Sequence, residues 1–122
     1  MKRVLVIEDH EVQASLLRFS INALGHEVIS VESAEEALEI LHEGTSIDLI
    51  TLDINLTGMS GLQFLSVLKN ETPYKEIPVV IITALRQESH LQEAKALGVA
   101  QYLVKPIIFS EFTALVKACL DD

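Results

Sequence analysis

The chain has one cysteine, Cys119, so no disulfide can form within it. In the setting FTALVKACL that thiol reads as a small, buried apolar side chain. Long apolar runs are missing too: the longest, such as VVII at 79–82, has four residues, against the roughly 20 needed to span a bilayer. Membrane insertion is therefore not expected. No charged, then apolar signal segment precedes the first apolar stretch, so the expected compartment is the cytoplasm. Basic residues are scarce, nine against eighteen acidic ones, and the formal net charge of −9 repels nucleic acid and anionic lipid at long range. Direct nucleic-acid binding is not expected. No repeat, low-complexity tract or Pro/Gly/Ser-rich linker divides the sequence. Its 122 residues fit one domain, since domains typically run to roughly 100–150 residues.

What the chain does have is apolar material, 49% of its residues, arranged in alternating periods. Four stretches are β-rich or nearly all apolar: VLVI at 4–7, DLITL at 48–52, VVIIT at 79–83 and AQYLV at 100–104; a fifth, EVISV at 27–31, alternates more. Segments of helical period lie between them, and in the first of these Val12, Leu16, Phe19 and Ala23 share a face. Ser33 with Glu36 makes a capping box, and Gly25, Gly44 and Gly98 stand where left-handed helix caps belong. This is βα five times, which requires a parallel sheet covered by helices on both faces. The three most continuous apolar strands should be interior and the two weaker ones edges. The expected fold is α/β, a flavodoxin-like doubly wound five-stranded parallel sheet in the order 2-1-3-4-5 with five helices on two faces.

In such a sheet the ligand site lies at the carboxyl ends of the strands. Those ends carry Glu8 and Asp9 after the first strand, Asp53 after the third, Thr83 on the fourth and Lys105 after the fifth. Each alone is an ordinary solvated or strand residue; together they converge on one rim. Three carboxylates there repel, at about 4 Å and an effective dielectric of about 20, by on the order of 4 kcal/mol per pair. A cation or a bound proton must relieve this: Lys105 supplies one charge, and a hard divalent ion such as Mg²⁺ suits the oxygen donors. An aspartate beside a cation, an ammonium and a hydroxyl is equipped to attack a phosphoryl donor. Asp53, in the middle of the rim, is the expected acceptor.

IEDH with its acidic pair, LITLDINLTGMSGLQFL around Asp53, VVIITA with Thr83 and Ala84, and YLVKP with Lys105 resemble, in this order and spacing, the receiver domains of two-component response regulators. The resemblance covers the chain from Val4 to the last helix. It implies that Asp53 takes a phosphoryl group from a sensor histidine kinase or a histidine phosphotransfer protein, and that a downstream target or fused output domain reads the change. It further implies Mg²⁺ (or Mn²⁺) on Asp9, Asp53 and the backbone carbonyl of Asn55, with Glu8 acting through water. Thr83 would hydrogen-bond the phosphoryl oxygen, Lys105 would pair with it, Tyr102 would be an aromatic switch coupled to Thr83, and Lys105–Pro106 would be cis. Tyr102 also reads as an edge-strand aromatic covering a helix. The partner-reading face would carry Arg86, His90, Tyr102 and Lys105. Thr57 stands where the family commonly has proline, and GVAQY lacks the acidic residues used in one large subfamily's dimers.

Two other functions compete. DINLT at 53–57 nearly matches the D-x-D-x-T signature of haloacid-dehalogenase-type phosphatases, but Asn55 replaces the second aspartate, and an amide can neither protonate a leaving group nor activate water. The same substitution, with apolar Leu85 after Thr83, predicts a long-lived phosphoryl group, a regulator rather than an enzyme. A degenerate receiver acting only as an interaction module would normally have lost the acceptor, an acid or the lysine; all are present. His10 beside the acids begins the turn into the first helix, where exposure to solvent is the ordinary outcome, and His26, His42 and His90 lie at polar positions with no metal-ligand spacing.

Overall fold

Five strands pair in parallel in the order β2-β1-β3-β4-β5. They are β1 (Arg3–Ile7), β2 (Glu27–Val31), β3 (Leu49–Asp53), β4 (Val79–Thr83) and β5 (Gln101–Val104). The helices are α1 (Glu11–Ala23), α2 (Ala34–His42), α3 (Gly61–Asn70), α4 (Glu88–Ala96) and α5 (Phe109–Leu120), with a 3₁₀ turn at Tyr74–Glu76. This computed structural model describes the chain except residues 57, 71, 72, 84–87, 100, 121 and 122 and the side chains of 88–90. Thr57, Ala84, Leu85, Arg86 and the His90 side chain therefore lie outside the described residues.

Strand position follows burial. β3 and β4 are buried along their whole length and β1 along all but Arg3, whereas β2 and β5 are largely half-buried or exposed. Continuous apolar runs are what an interior parallel strand needs, because helices cover both of its faces. Alternate residues divide between two cores. Leu5, Ile7, Ile50, Leu52 and Ile81 pack with α2, α3 and α4, while Val4, Val6, Leu49, Val80 and Ile82 pack with Leu17 and Ile21 of α1 and Phe112 and Val116 of α5.

The apolar stripe read on α1 is not the one that docks. Val12, Leu16 and Phe19 are 76%, 53% and 67% exposed, and Ala23 is exposed as well; Ala14, Leu17, Ser20 and Ile21 face the sheet. The helix carries two apolar stripes, and period alone cannot choose between them. The docking stripe is the one with small Ala14 and Ser20, which let the helix lie close to the strands. The buried Ser20 hydroxyl donates to the Leu16 carbonyl at 2.8 Å and so carries no unpaired polar group inward.

The helix ends behave as their residues require. Gly25, Gly44 and Gly98 have φ of +89°, +84° and +94°, a region that side chains with a Cβ avoid. At α2 the Glu36 N–H donates to Ser33 Oγ at 3.1 Å, and the Glu36 carboxylate reaches back to the N–H of Glu32 at 3.3 Å, one residue beyond the usual capping-box partner. A second box at the start of α3 is fully reciprocal: the Gln63 N–H donates to Ser60 Oγ at 3.1 Å and the Ser60 N–H to Gln63 Oε1 at 2.9 Å. Its S-x-x-Q spacing was there to be read in SGLQ.

Candidate functional site

The sheet's hydrogen bonding runs past the end of its strands and fixes the rim. The Glu8 N–H donates to the Val31 carbonyl at 3.1 Å, the Ile54 N–H to the Ile82 carbonyl at 3.2 Å and the Lys105 N–H to the Thr83 carbonyl at 2.8 Å. Glu8, Asp53 and Lys105 are thus held by backbone bonds to neighbouring strands. Glu8, Asp53 and Thr83 are buried, at 1%, 3% and 2% exposure, and Asp9 is half-buried.

Asp53 is engaged on both oxygens. Oδ1 accepts the Asn55 N–H at 2.9 Å and Oδ2 accepts Lys105 Nζ at 3.0 Å. Lys105 Nζ also lies 3.9 Å from Glu8 Oε1. Glu8 Oε2 accepts the His10 N–H at 3.1 Å, but Oε1 is buried without a hydrogen-bond partner. Burial first, and the neighbouring Asp53 charge second, push the Glu8 carboxyl up to about 7; the His10 N–H and Lys105 act in the opposite direction. Without a bound cation, the direction of this shift favours relief of the repulsion among the acids by protonation of Glu8.

That shift has a definite sign. Between about 4.5 and about 7 the folded protein holds a proton that the unfolded chain has released, so stability falls as pH rises through this window. The Glu8 contribution is fully present below the lower value and lost above the upper one. Glu8→Gln is therefore expected to gain about 3 kcal/mol relative to wild type between pH 4 and pH 8 in the absence of divalent metal. Urea unfolding at the two pH values measures this, and an equal effect at both would contradict it.

Glu8, Asp9 and Asp53 can each offer one carboxylate oxygen, all within 4.8 Å of one another. An orphaned buried oxygen on Glu8, surplus negative charge and an all-oxygen donor set fit a hard divalent cation such as Mg²⁺. This is the only such group of three among the described residues.

Beside these acids Thr83 ends β4 and is buried, and the Lys105–Pro106 bond is cis. Tyr102 is exposed, with Lys95 Nζ 5.4 Å from the centre of its ring. Asn55 is exposed, one loop residue beyond Ile54. His10 is exposed at the start of α1, and His26 accepts the Lys2 N–H at 3.1 Å away from the rim.

Gly61 was missed by the sequence reading. A Cβ there would lie 2.7 Å from the Asp53 carbonyl oxygen and 2.7 Å from Ile54 Cα, and the Gly61 N–H donates to the Ile54 carbonyl at 3.1 Å. The first residue of α3 thus rests directly on the strand end that carries Asp53. The available signal was a glycine at a helix start, where it is no better a helix former than elsewhere.

Residues 4–117 match the response regulator receiver domain. The polar-differentiation response regulator DivK of Brucella ovis is 35% identical over 121 residues, covering 99% of this chain and 98% of DivK. Among solved structures, the Vibrio cholerae chemotaxis protein CheY4 superposes with a TM-score of 0.88 at 26% identity, over 98% of this chain and 99% of that one. The phosphorylated cyanobacterial phytochrome response regulator RcpA superposes at 0.83 with 28% identity, over 96% and 89%. With the 2-1-3-4-5 sheet and an acidic rim at its carboxyl edge, a match over nearly the whole sequence means that this chain belongs to the receiver-domain family of two-component response regulators.

Proposed function

We propose that residues 1–122 act as one receiver unit, a phosphorylation-activated switch of a two-component or phosphorelay pathway, with Asp53 as phosphoacceptor. The observation that carries this is the Asp53 carboxylate, buried on the rim beside two further acids with Lys105 Nζ at 3.0 Å. The phosphorylated relative RcpA supports the same chemistry here.

An Asp53 oxygen attacks the phosphorus of a phosphohistidine on a sensor histidine kinase or histidine phosphotransfer protein. The O–P bond forms as the N–P bond breaks, and the imidazole keeps that electron pair. Lys105 moves its charge from the Asp53 carboxylate to the phosphoryl oxygens, and the Thr83 hydroxyl donates to one of them. Asp9, Asp53 and the Asn55 carbonyl, with Glu8 through water, would hold Mg²⁺ or Mn²⁺, which when bound offsets charge on the transferring group. The phosphoryl group then persists, because Asn55 offers an amide and no base. This is storage rather than turnover, so the chain is a regulator and not a phosphatase.

Phosphorylation can shift conformation only through contacts that differ between the two states. Thr83 drawn toward the phosphoryl group opens the space into which Tyr102 turns from its exposed position, and a downstream target or fused output domain reads the changed β5 face. The pathway is cytoplasmic; no described helix is long and apolar enough to cross a membrane.

A phosphohistidine donor would dock against α1, where Val12, Leu16 and Phe19 are exposed and Leu16 lines a groove with Phe109. Burial of such side chains drives association of helical surfaces. Phe19→Glu is expected to slow transfer from a phosphohistidine protein by about tenfold or more while leaving acetyl phosphate uptake unchanged. Equal loss with both donors would show that the stripe is structural.

The direct test is incubation with Mg²⁺ and acetyl phosphate, read by intact mass. Uptake of one phosphoryl group, stable after donor removal, is the expected result. No uptake would favour a degenerate interaction module, and continuous phosphate release from phosphomonoesters would favour a hydrolase.

A further inference from the structure

The loop between β3 and α3 carries Asn55; its first residue is tied to the sheet, the Ile54 N–H donating to the Ile82 carbonyl, and its ends are tied to each other, the Gly61 N–H donating to the Ile54 carbonyl. Its middle is tied elsewhere. Glu35, in the first turn of α2, reaches across so that its Oε2 accepts the Met59 N–H at 3.0 Å. Gly58, next to Met59, has φ of +79°, and a Cβ at that position would lie 2.9 Å from the same Glu35 oxygen. The hydrogen bond and the cleared space are separate observations of one seat for the Glu35 carboxylate. The base of that seat is rigid, since Ala34 and Ala37 on either side are fully buried and Ser33 caps the helix.

We propose that Glu35 is a positioning residue for the phosphoacceptor site: by clasping Met59 it fixes the loop that presents the Asn55 carbonyl to the cation and the Asn55 N–H to Asp53 Oδ1. Among the described contacts Glu35 meets the loop at Gly58 and Met59, not at Asp53 or the other acids, and so acts by holding that end of the loop. This deepens the phosphoacceptor reading and rests on it. A ligand held by one loop carbonyl is only as well placed as the loop, and outer contacts that orient metal ligands commonly change affinity by about tenfold or more. Glu35 is on the surface, so its removal leaves both cores intact.

The test compares wild type, Glu35→Ala and Glu35→Gln by three measurements: amide hydrogen exchange at Met59, Mg²⁺ affinity, and the rate of phosphoryl uptake from acetyl phosphate at limiting and saturating Mg²⁺. Glu35→Gln removes the charge but keeps an acceptor oxygen. Glu35→Ala is expected to lose Met59 protection and to weaken Mg²⁺ binding by about three- to tenfold, with uptake slowed at limiting Mg²⁺, restored at saturation, and the melting temperature unchanged. Glu35→Gln should restore all three measurements. If Glu35→Gln behaves like Glu35→Ala, long-range charge and not the clasp is responsible, and the proposal fails. If wild type takes up phosphate and Glu35→Ala matches it, the positioning role fails alone. If wild type binds no Mg²⁺ and takes up no phosphate, the phosphoacceptor reading falls and the positioning role with it.

Discussion

Asp53→Asn is expected to abolish phosphoryl uptake and, in the same protein without metal, to bring Glu8 back down toward the ordinary carboxylate range. An amide oxygen is a poor nucleophile and no other carboxylate has the same contacts. Glu8 lies with one oxygen on the His10 N–H and Asp9 is the half-buried member of the cluster, whereas Asp53 alone is held between Lys105 and the Asn55 N–H. The loss should be at least about 10³-fold, the scale seen when a covalent nucleophile is removed. The second effect follows from the causes of the Glu8 shift, among which the Asp53 charge ranks next after burial and raises the value. Removing that charge leaves Lys105, 3.9 Å from Glu8 Oε1, without its nearer partner and free to pair with Glu8. Both changes favour ionised Glu8. Intact mass after acetyl phosphate and carbon NMR of the Glu8 carboxyl across pH 4–9 measure the two effects. Uptake at the wild-type rate would place the acceptor elsewhere, and an unmoved Glu8 titration would mean that burial alone sets it.

Gly61→Ala is expected to be the most damaging of the glycine-to-alanine changes. The new methyl would meet the Asp53 carbonyl oxygen and Ile54 Cα at 2.7 Å each and the Ile54 carbonyl oxygen at 3.1 Å. These are backbone atoms of an interior strand end, with no side chain able to swing aside. Nor can the helix retreat freely, because Phe64, Leu65 and Leu68 anchor α3 in the core. Overpacking against a fixed surface typically costs about 1–3 kcal/mol, here expected at the upper end, a fall in melting temperature of roughly 10 °C for a domain of this size. The displaced strand end should also slow phosphoryl uptake by about 10²-fold, the effect of a misplacement near 1 Å at a reacting group. Gly25→Ala provides the comparison: its φ is +89°, but nothing lies within 4 Å of a Cβ there, so only the left-handed backbone conformation, roughly 1–2 kcal/mol, is at stake. Thermal melts with uptake rates for both variants separate close packing from conformation. Equal losses would mean that the contact beneath Gly61 relaxes cheaply.

The rim was legible because two rules converge on it. An interior parallel strand is apolar through most of its length, so a carboxylate at the end of VLVIED or LITLD marks where the strand reaches the rim, and a doubly wound sheet collects those ends on one edge. Glu8, Asp53, Thr83 and Lys105 all emerge on that edge, as their places in the chain imply. The α1 face was not legible, because Val12, Leu16 and Phe19 have the same helical period as the stripe that docks, and only contact with the sheet distinguishes them. Gly61 left only the weak signal of a glycine at a helix start, and the Glu35 clasp left none, since each depends on contact with another element.

By itself the sequence determined the strand order, the edge and interior strands and the set of polar groups on the rim, because these depend on period, apolar continuity and chain order, which are local properties. Tertiary structure alone decided which oxygen of Asp53 faces Lys105, that Glu8 keeps an unpaired buried oxygen and holds its proton to about pH 7, and that α3 sits in contact with the end of β3. Such features are set by distances of a few ångströms between different segments, from eight residues apart for Gly61 and Asp53 to 52 for Asp53 and Lys105. At that range burial, charge and excluded volume change steeply, and no pattern along a single segment records them.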